Sequence, residues 1–563
     1  LHHLGGMEPG GMPHGVHYSL GVLDKLSLDK RGAMLHASFP DGALELPNDP
    51  EGIREELVRR FPHEREGIDR LLAFMPRLKA DVLGPALDPD LGSVPLDERL
   101  MTAQVDRTLA DLLGDFVRDP RLLGLLGQLW MYIGLPPSRS TATFSTCVFC
   151  SSFVEGAYHV VGGGAALVRA MIDRLRELGG DCRTSSGVER IEVRDGRAVA
   201  VHTENGARIE ARVVISNANP FHTFDDLLGE GDVSRVYRYR LEQMEPSLSF
   251  YSLYLGLDCP PSDLAIAPGS FFANAGYDMD DSYARTLAGD VRATDYCLTS
   301  YECASDEGMY PPGGGIVSVA ELTPAADWHD LSEEEYARRK AIVAARMLDK
   351  VERRFPGLAA HAEHVELATP RTMTRYTRNH AGAVYGLAQT VEQSNSRRLR
   401  NRTPIEGLFL TGAWTWSGGG YEGAMMTGVQ TAAAVLEDVE TPRPAPPIRF
   451  HPEAPVPPLA PSPPGTRRNP GAPRFSAPDD DHYRFRLPVT VYGEDLNSRG
   501  FVDASAYLRF MDRGRLEAIE AICEAAGQRS WLREYVVNVY RIETRCATVA
   551  KLSDRLEVRT GLR

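Results

Sequence analysis

Residues 408–436, LFLTGAWTWSGGGYEGAMMTGVQTAAAVL, constrain the fold more than any other part of the chain. Leu408, Phe409 and Leu410 form a short apolar run typical of a buried strand, and Gly412 follows it closely. Further glycines stand at positions 418, 419, 420 and 423, and a helix rich in small residues is predicted from about Gly423. A strand, a glycine-rich crossing and a helix leave backbone N–H groups free to face an anionic or electron-rich ligand.

The spacing of this stretch resembles the C-terminal flavin-binding signature of the phytoene desaturase, carotenoid isomerase and retinol saturase flavoproteins, L-x-G-A-x-T-x-x-G-G-G-x-x-G-A-x-x-S-G-x-x-A-A. The matching residues are Leu410, Gly412, Ala413, Thr415, Gly418, Gly419, Gly420, Gly423, Ala424, Gly428, Ala432 and Ala433, with Thr427 in place of the usual Ser. The resemblance implies FAD as cofactor, bound by Gly412, Ala413, Gly419, Gly420, Gly423 and Ala424. The alternative is an ordinary strand–loop–helix corner whose glycines serve only packing.

A second part of the same resemblance lies in the middle of the chain. Three glycines at 162–164 lead into a predicted amphipathic helix over 165–178, with Leu167, Met171 and Leu175 on its apolar face. Predicted strands over 188–193, 198–202 and 207–211 are joined by Asp-Gly and Asn-Gly turns, and an apolar strand over 213–216 ends at Asn217. In the resembling family, the residue that corresponds to Val188 meets the adenine through its backbone.

The first residues lack the strand and G-x-G-x-x-G loop with which such a flavoprotein begins. Residues 1–12, LHHLGGMEPGGM, resemble the family segment that follows the first βαβ unit. We therefore expect residue 1 to lie inside a domain, with the pyrophosphate loop outside this sequence, and an apoprotein as one alternative. Gly5, Gly6 and Met7 are predicted to form a loop near the substrate cavity. For His2, His3 and His14 a loop is favoured over a metal site.

The remaining segments up to residue 440 predict a substrate domain over about 20–150 and 225–390. Apolar periodicity predicts helices over 49–61, 64–78 and 109–129, and apolar runs predict strands over 248–257 and 314–320. Residues 382–386 resemble the family's G-A-x-Y-G segment near the flavin, which implies that Tyr385 and Gly386 contact substrate. Cys147 and Cys150 form a C-x-x-C in apolar surroundings, and buried packing is favoured over a redox or zinc site.

Charge and hydropathy exclude some function classes. The formal net charge of −15 argues against a nucleic-acid partner. The longest weakly polar run, residues 122–137, is too short to span a bilayer and fits a core helix or a shallow membrane-touching surface. The absence of a secretory signal at the start and the eight scattered cysteines favour a cytoplasmic location, with peripheral membrane association open.

The C-terminal part of the chain predicts a linker and a second module. Residues 441–480 are crowded with proline and read as a semi-extended linker. Beyond it, a strand over 483–492, a helix over 504–526 and strands over 535–542 and 556–560 resemble a partial, dimerising hotdog domain of the 4-hydroxybenzoyl-CoA thioesterase type. Its signature is met by Gly500, Val502, Tyr507, Leu508 and Arg509.

The predicted thioesterase site departs from its family at one position. Asn497 stands where the hotdog family commonly has an Asp. The EDLNSRG segment also resembles enediyne polyketide thioesterases, in which asparagine takes this place and a helix arginine, here Arg515, replaces the acid. An amide and a guanidinium can hold a thioester carbonyl by hydrogen bonds. The alternative is that Asn497 caps the loop and Arg515 is a surface residue.

Taken together, these patterns predict an α/β fold with three parts. They are a Rossmann-like FAD-binding domain without its N-terminal βαβ unit, formed by residues 155–220 and 400–440, an α+β substrate domain, and a C-terminal α+β hotdog domain over 481–563. The predicted function is FAD-dependent oxidation, reduction or isomerisation of the double bonds of a lipophilic polyene, with release of an acyl chain from a thioester by the hotdog module. The alternatives are a non-catalytic ligand- or partner-binding protein and a flavin amine oxidase.

Overall fold

The computed structural model describes residues 3–9, 11–87, 100–290, 295–301, 309–440, 485–490 and 555–560. The chain divides into two compact units, one formed by residues 1–91 and 100–443 and the other by residues 92–99 and 444–563. In the first unit, a mixed α/β architecture combines one large sheet, helices on both of its faces and a smaller strand cluster.

The helices described in the first unit are α1 Met12–Leu20, α2 Pro50–Arg60, α3 Arg65–Leu87, α4 Leu109–Gly114, α5 Pro120–Gly127, α6 Trp130–Ile133, α7 Ala142–Phe153, α8 Gly163–Glu177, α9 Arg235–Glu242, α10 Met279–Leu287, α11 Glu333–Arg354, α12 Leu358–His361, α13 Pro370–Thr377 and α14 Gly420–Glu440. Its strands are β1 Leu28–Lys30, β2 Ala33–Phe39, β3 Gly42–Pro47, β4 Tyr158–Val160, β5 Val188–Arg194, β6 Arg197–Thr203, β7 Arg208–Glu210, β8 Val214–Ser216, β9 Ser249–Leu257, β10 Gly269–Ala273, β11 Tyr296–Ser300, β12 Gly315–Thr323, β13 Ala362–Ala368 and β14 Leu408–Leu410.

The large sheet contains seven strands in the order β13-β9-β12-β11-β10-β2-β3. Its neighbouring strands are antiparallel except β10 and β2, which pair in parallel. Helix α11 covers one face of the sheet with Val343, Met347 and Val351. On the other face, Phe272 and Leu322 belong to the core that the sheet shares with helices α2 to α7. The strands predicted over 248–257 and 314–320 are thus confirmed as neighbouring strands of this sheet, β9 and β12.

The helical first third follows from its caps and its apolar spacing. Asp49 caps α2 by accepting a hydrogen bond from the Gly52 N–H at 2.8 Å, and Ile53 and Leu57 are buried as the periodicity predicts. The helix predicted over 109–129 is instead two helices, α4 and α5. Pro120 cannot continue a preceding helix, and it opens α5 with Asp119 as its N-cap.

The weakly polar run over 122–137 packs into the core of the unit. Leu122, Leu125 and Trp130 are all buried there, so the core alternative is the one the structure supports. Among the described residues, no helix combines the length and the apolar character that crossing a membrane requires.

The smaller strand cluster confirms the predicted meander. Strands β5, β6 and β7 form an antiparallel three-stranded sheet, and β8 pairs in parallel with β14, with Val214 opposite Leu408. Two details of the prediction were wrong. Leu175 does not belong to the buried face of α8, since it is 43% exposed. Helix α14 begins at Gly420 rather than near Gly423, so the last glycines of the crossing already form its first turn.

The described part of the second unit consists of two strands, β15 Phe485–Thr490 and β16 Arg555–Thr560. They pair antiparallel, with Phe485 opposite Thr560. Strand β15 lies within the strand predicted over 483–492, and β16 begins one residue before the strand predicted over 556–560. The predicted proline-rich linker, the helix over 504–526, the strand over 535–542 and both Asn497 and Arg515 lie outside the described residues.

Candidate active site

The Thr427 hydroxyl links the segment that follows β14 to helix α14. The Gly412 N–H donates a hydrogen bond to Thr427 Oγ1 at 2.7 Å, and the Thr427 hydroxyl donates to the Ala424 carbonyl at 2.8 Å. Thr427 replaces the Ser of the signature and places its hydroxyl at the junction of strand and helix.

The two flavin-signature segments meet at Gly412. The Thr411 N–H donates to the Ser216 carbonyl at 3.0 Å. A Cβ at position 412 would lie under 3.0 Å from Asn217 Oδ1, and the backbone there has a φ of 85°. Only glycine takes that conformation and leaves that space without strain. The segments around residues 216 and 412 therefore form one corner.

The segment around Tyr385 packs backbone against backbone on the same corner. A Cβ at Gly419 would lie under 3.0 Å from the Tyr385 carbonyl oxygen, and one at Gly386 would lie equally close to the Ala413 carbonyl oxygen. The Tyr385 hydroxyl donates to the Met131 carbonyl at 2.7 Å and so fixes its ring toward the substrate domain.

Arg398 clamps these two segments together. Its side chain is buried, and it donates to the carbonyls of Leu387 and Ala413 at 2.9 Å and of Thr415 at 2.7 Å, with a longer bond of 3.4 Å to Ala388. Burial lowers the pKa of its guanidinium to about 9. Carbonyl dipoles stabilise its charge, and no carboxylate among the described residues pairs with it.

A cavity of about 310 Å³ opens beside this corner. Aromatic and aliphatic side chains make up much of its wall, among them Val82, Leu83, Met101, Tyr132, Phe144, Val148, Phe250 and Met426. His3, Leu4 and Gly5 also line it, where the N-terminal loop was expected. Cys147 lines the cavity and Cys150 packs in the core. Burial raises the pKa of the Cys147 thiol to about 12, which fits a packing cysteine rather than a reactive one.

The predicted site residues fall into three groups. Gly419, Gly420, Gly423 and Tyr385 line the cavity. Gly412, Ala413, Ala424 and Gly386 form the corner behind it. Val188 opens strand β5 opposite Thr203 and is outside the cavity lining.

The cavity wall suits the edge of a flavin ring. The amide nitrogens Gln389 Nε2 and Asn395 Nδ2 are buried and have no hydrogen-bond partner among the described residues. Both residues line the cavity near the glycines of α14. Unpaired buried donors are costly, and an acceptor-rich ring beside them would satisfy both. The residues present therefore fit FAD.

A buried charged cluster, formed by Lys79, Glu155 and Glu422, was not predicted from the sequence. Lys79 Nζ lies 2.8 Å from the Glu155 carboxylate and 2.5 Å from Glu422 Oε1. Ser151 completes the cluster, since its hydroxyl donates to Glu422 Oε2. One sequence signal could have revealed it, because Lys79 continues the apolar stripe of Ile68, Leu71, Leu72 and Met75 on α3.

The charges of the cluster perturb one another. Burial alone would lower the pKa of the Lys79 ammonium, but Glu422 and Glu155 together raise it above its ordinary value. Burial raises the pKa of Glu155, and Glu422 raises it further, although Lys79 acts in the opposite direction. The cluster thus holds the positive charge of Lys79 firmly, and the pKa of Glu155 lies above its ordinary value.

Comparison with known proteins decides the family. The family described as flavin containing amine oxidoreductase matches residues 17–436. The chain belongs to this family. A flavin-containing amine oxidoreductase of this kind uses FAD, so FAD is the expected cofactor and the protein is an FAD-dependent oxidoreductase.

The relatives of this chain include enzymes whose names refer to carotenoids. This chain is 24% identical to the chloroplastic prolycopene isomerase of Daucus carota over 395 residues, which cover 68% of this chain and 63% of that protein. It is 26% identical to the lycopene-forming phytoene desaturase of Pseudescherichia vulneris over 70% of this chain and 80% of that protein. It is 28% identical to the hydroxyneurosporene desaturase of Rhodobacter capsulatus, over 71% and 80% respectively.

The fold also resembles that of a solved structure. An oxidoreductase from Methanosarcina mazei superposes with a TM-score of 0.50 at 15% identity, covering 77% of this chain and 87% of that one. This likeness supports the mixed α/β oxidoreductase fold.

The raised pKa of Glu155 predicts a pH-dependent stability. Between the ordinary value of 4.5 and its raised value, the folded state holds more protons than the unfolded state. The contribution of Glu155 to stability therefore falls as pH rises through this window. We expect Glu155→Gln to flatten the fall of the thermal midpoint above about pH 4.5. Glu437→Gln, at an exposed position of α14, serves as control and should keep the wild-type slope.

Proposed function

We propose that this FAD-dependent oxidoreductase acts on carbon–carbon double bonds of a lipophilic polyene, by desaturation, saturation or isomerisation. The observation that carries the proposal is the cavity, whose largely apolar wall runs from the substrate domain onto the glycines of α14. Burying apolar surface supplies the affinity for a hydrocarbon chain. The carotenoid names of the relatives support the same substrate class.

In this proposal the residues of the chain hold and orient the cofactor and the polyene, and the cofactor supplies the redox chemistry. Bound FAD accepts or returns a hydride. The glycines at 419, 420 and 423 let backbone approach the ring, and Gln389 and Asn395 donate hydrogen bonds to its acceptors. We propose from the family resemblance that the Val188 backbone meets the adenine. Tyr385, fixed through Met131, and Phe250 pack in an edge-to-face pair with ring centroids 5.6 Å apart, and they would form an aromatic part of the wall along the polyene.

The test uses absorbance spectra of the purified chain. We expect flavin bands, and a change in the polyene spectrum when phytoene or prolycopene is added with the cofactor loaded. Flavin bands without any change in either polyene, together with amine-dependent peroxide release, would favour an amine oxidase instead. A folded protein that binds neither flavin nor polyene would contradict the proposal.

Substitution of Gly419 is expected to affect flavin binding. We expect Gly419→Ala to abolish most flavin binding, because its Cβ would lie under 3.0 Å from the backbone carbonyl of Tyr385, which cannot move aside as a side chain can. The measurement is the flavin absorbance that remains with the protein after gel filtration. Gly428→Ala is the matched control on the same helix, since nothing lies within 4 Å of its added Cβ. Equal flavin retention in both variants would contradict the prediction.

We infer that the C-terminal part is a hotdog thioesterase-like module that releases a polyene acyl chain for the flavin domain. The antiparallel pairing of β15 with β16 supports an antiparallel sheet, and the EDLN loop supports the thioesterase resemblance. In this role Asn497 and Arg515 hold the thioester carbonyl. Hydrolysis of a polyenoyl thioester by the full chain, lost in Asn497→Ala and Arg515→Ala, would support the inference, and no hydrolysis would overturn it.

A further inference from the structure

The charged cluster lies at the end of the cavity formed by the glycine-rich corner. Glu422 stands two residues beyond Gly420 in the first turn of α14, and it lines the cavity together with Ser151. Lys79 and Glu155 lie behind it, outside the lining. The side chains of Lys79, Glu155 and Glu422 are only 6%, 20% and 17% exposed. A cavity built to hold a hydrocarbon chain would gain nothing from buried charge, which is costly to desolvate.

Glu422 is the one carboxylate among the described residues that line the cavity. Among the described lining residues, the other titratable groups are His3, Tyr132, Cys147, Tyr385 and Tyr421. Burial raises the pKa of the thiol and of the three phenols, so these groups keep their protons. Burial lowers the pKa of His3 to about 4, which makes its imidazole a weak base. Glu422 is an acid side chain at a helix N-terminus, where the backbone favours negative charge.

The groups behind Glu422 can take up the proton that it receives. Lys79 from α3 bridges both carboxylates, and the Ser151 hydroxyl from α7 donates to Glu422 Oε2. The two carboxylates and one ammonium carry one excess negative charge when all are ionised. A single added proton therefore brings the cluster to neutrality, which is the favoured state in a buried environment.

We propose that Glu422 is the proton acceptor of the double-bond chemistry, and that Lys79 and Glu155 are positioning residues that orient its carboxylate and share its proton. This inference rests on the proposed polyene function. In desaturation, two neighbouring C–H bonds of the substrate break. One hydrogen would leave with its electron pair, which bound oxidised FAD would accept, and the other would leave as a proton to the Glu422 carboxylate. The electron pair of the second C–H bond becomes the new π bond.

The decisive variant is Glu422→Gln in the full chain. Its amide keeps the shape of the side chain, and Lys79 still pairs with Glu155, so the fold is retained. We expect flavin retention and phytoene binding to stay within about twofold of wild type, while kcat falls by about 10²–10⁴-fold, as for loss of a general base. Glu437→Gln, on the same helix, should keep full activity. Glu422→Asp should recover part of the rate.

A positioning role for Glu155 is tested by its pH profile. Glu155→Gln leaves Glu422 ionised beside Lys79 and removes the group that shares its proton. The midpoint of the kcat–pH profile should shift, and KM should stay unchanged. A residue with a merely structural role would lower the thermal midpoint without moving that profile.

An infrared titration gives a readout that needs neither cofactor nor turnover. The shared proton should appear as a protonated-carboxyl band that both Glu155→Gln and Glu422→Gln change and Glu437→Gln does not. If wild type converts polyene and Glu422→Gln does so at an equal rate, the proton-acceptor role is overturned while the proposed function stands. If wild type binds flavin yet converts neither phytoene nor prolycopene, the proposed function fails and the acceptor role falls with it.

Discussion

Lys79→Met is expected to lower the free energy of unfolding by about 3–5 kcal/mol, the usual loss when one partner of a buried ion pair is removed. The substitution leaves the carboxylates of Glu155 and Glu422 facing each other without the ammonium that lies 2.8 and 2.5 Å from them. Methionine fills a similar volume, so the loss reports the charge rather than a cavity. Thermal unfolding of the full chain measures it, as a fall in the midpoint of the first unit.

The triple variant Lys79→Met, Glu155→Gln, Glu422→Gln separates charge from packing. Replacing every charge of a buried cluster is often neutral or stabilising, so we expect the triple variant to recover most of the lost stability and still to lack activity. A triple variant as unstable as Lys79→Met alone would show that the loss comes from packing around position 79.

Arg398→Met is expected to lower the free energy of unfolding by about 3 kcal/mol and to release the flavin. Removing the guanidinium leaves the carbonyls of Leu387 and Ala413 without the donor that they have in the wild type, each at a cost of about 1–3 kcal/mol, whereas the Thr415 carbonyl keeps the Gly418 N–H at 2.9 Å. Part of this cost is offset because a buried charge is removed as well. Since those carbonyls belong to the two segments that form the glycine corner, loss of the clamp should also lower flavin affinity.

Arg398→Lys tests the geometry of that clamp. Lysine keeps the charge, but its single ammonium cannot reproduce a planar fork that reaches both segments, so we expect flavin loss close to that of Arg398→Met. Arg397→Met is the matched control, because Arg397 is partly exposed and pairs with Asp106 at the surface. Flavin retention in Arg398→Lys equal to wild type would show that charge alone holds the corner.

The local structure of the flavin-binding parts could be predicted because turns and glycines encode it. Asp195-Gly196 and Asn205-Gly206 fixed the meander, and the glycines after β14 marked the crossing. The boundaries of helices were harder to predict where helix propensity and packing favour different ends. Helix α14 takes up Gly420 because tertiary packing stabilises a first turn that glycine propensity disfavours.

The charged cluster could not be predicted because its members are distant in sequence and look unremarkable separately. Lys79 is a lysine in an amphipathic helix, Glu155 follows an apolar helix, and Glu422 occupies a variable position of the glycine signature. Only the fold of α3 against α7 and α14 brings them within hydrogen-bond distance. The exposure of Leu175 could not be predicted for the same reason. Apolar periodicity identifies one face of a helix, but it does not show which other parts of the protein pack against that face.

The parallel pairing of β8 with β14 sets the order in which the chain can assemble. Val214 pairs with Leu408, and the whole seven-stranded sheet is built from residues outside this pair. At a synthesis rate of about 5–20 residues per second, the first strand waits about 10–40 s for its partner to leave the ribosome. During that time its backbone edge is unpaired and open to other chains. A nascent protein of this topology therefore depends on the rapid folding of its seven-stranded sheet to bring β8 and β14 together.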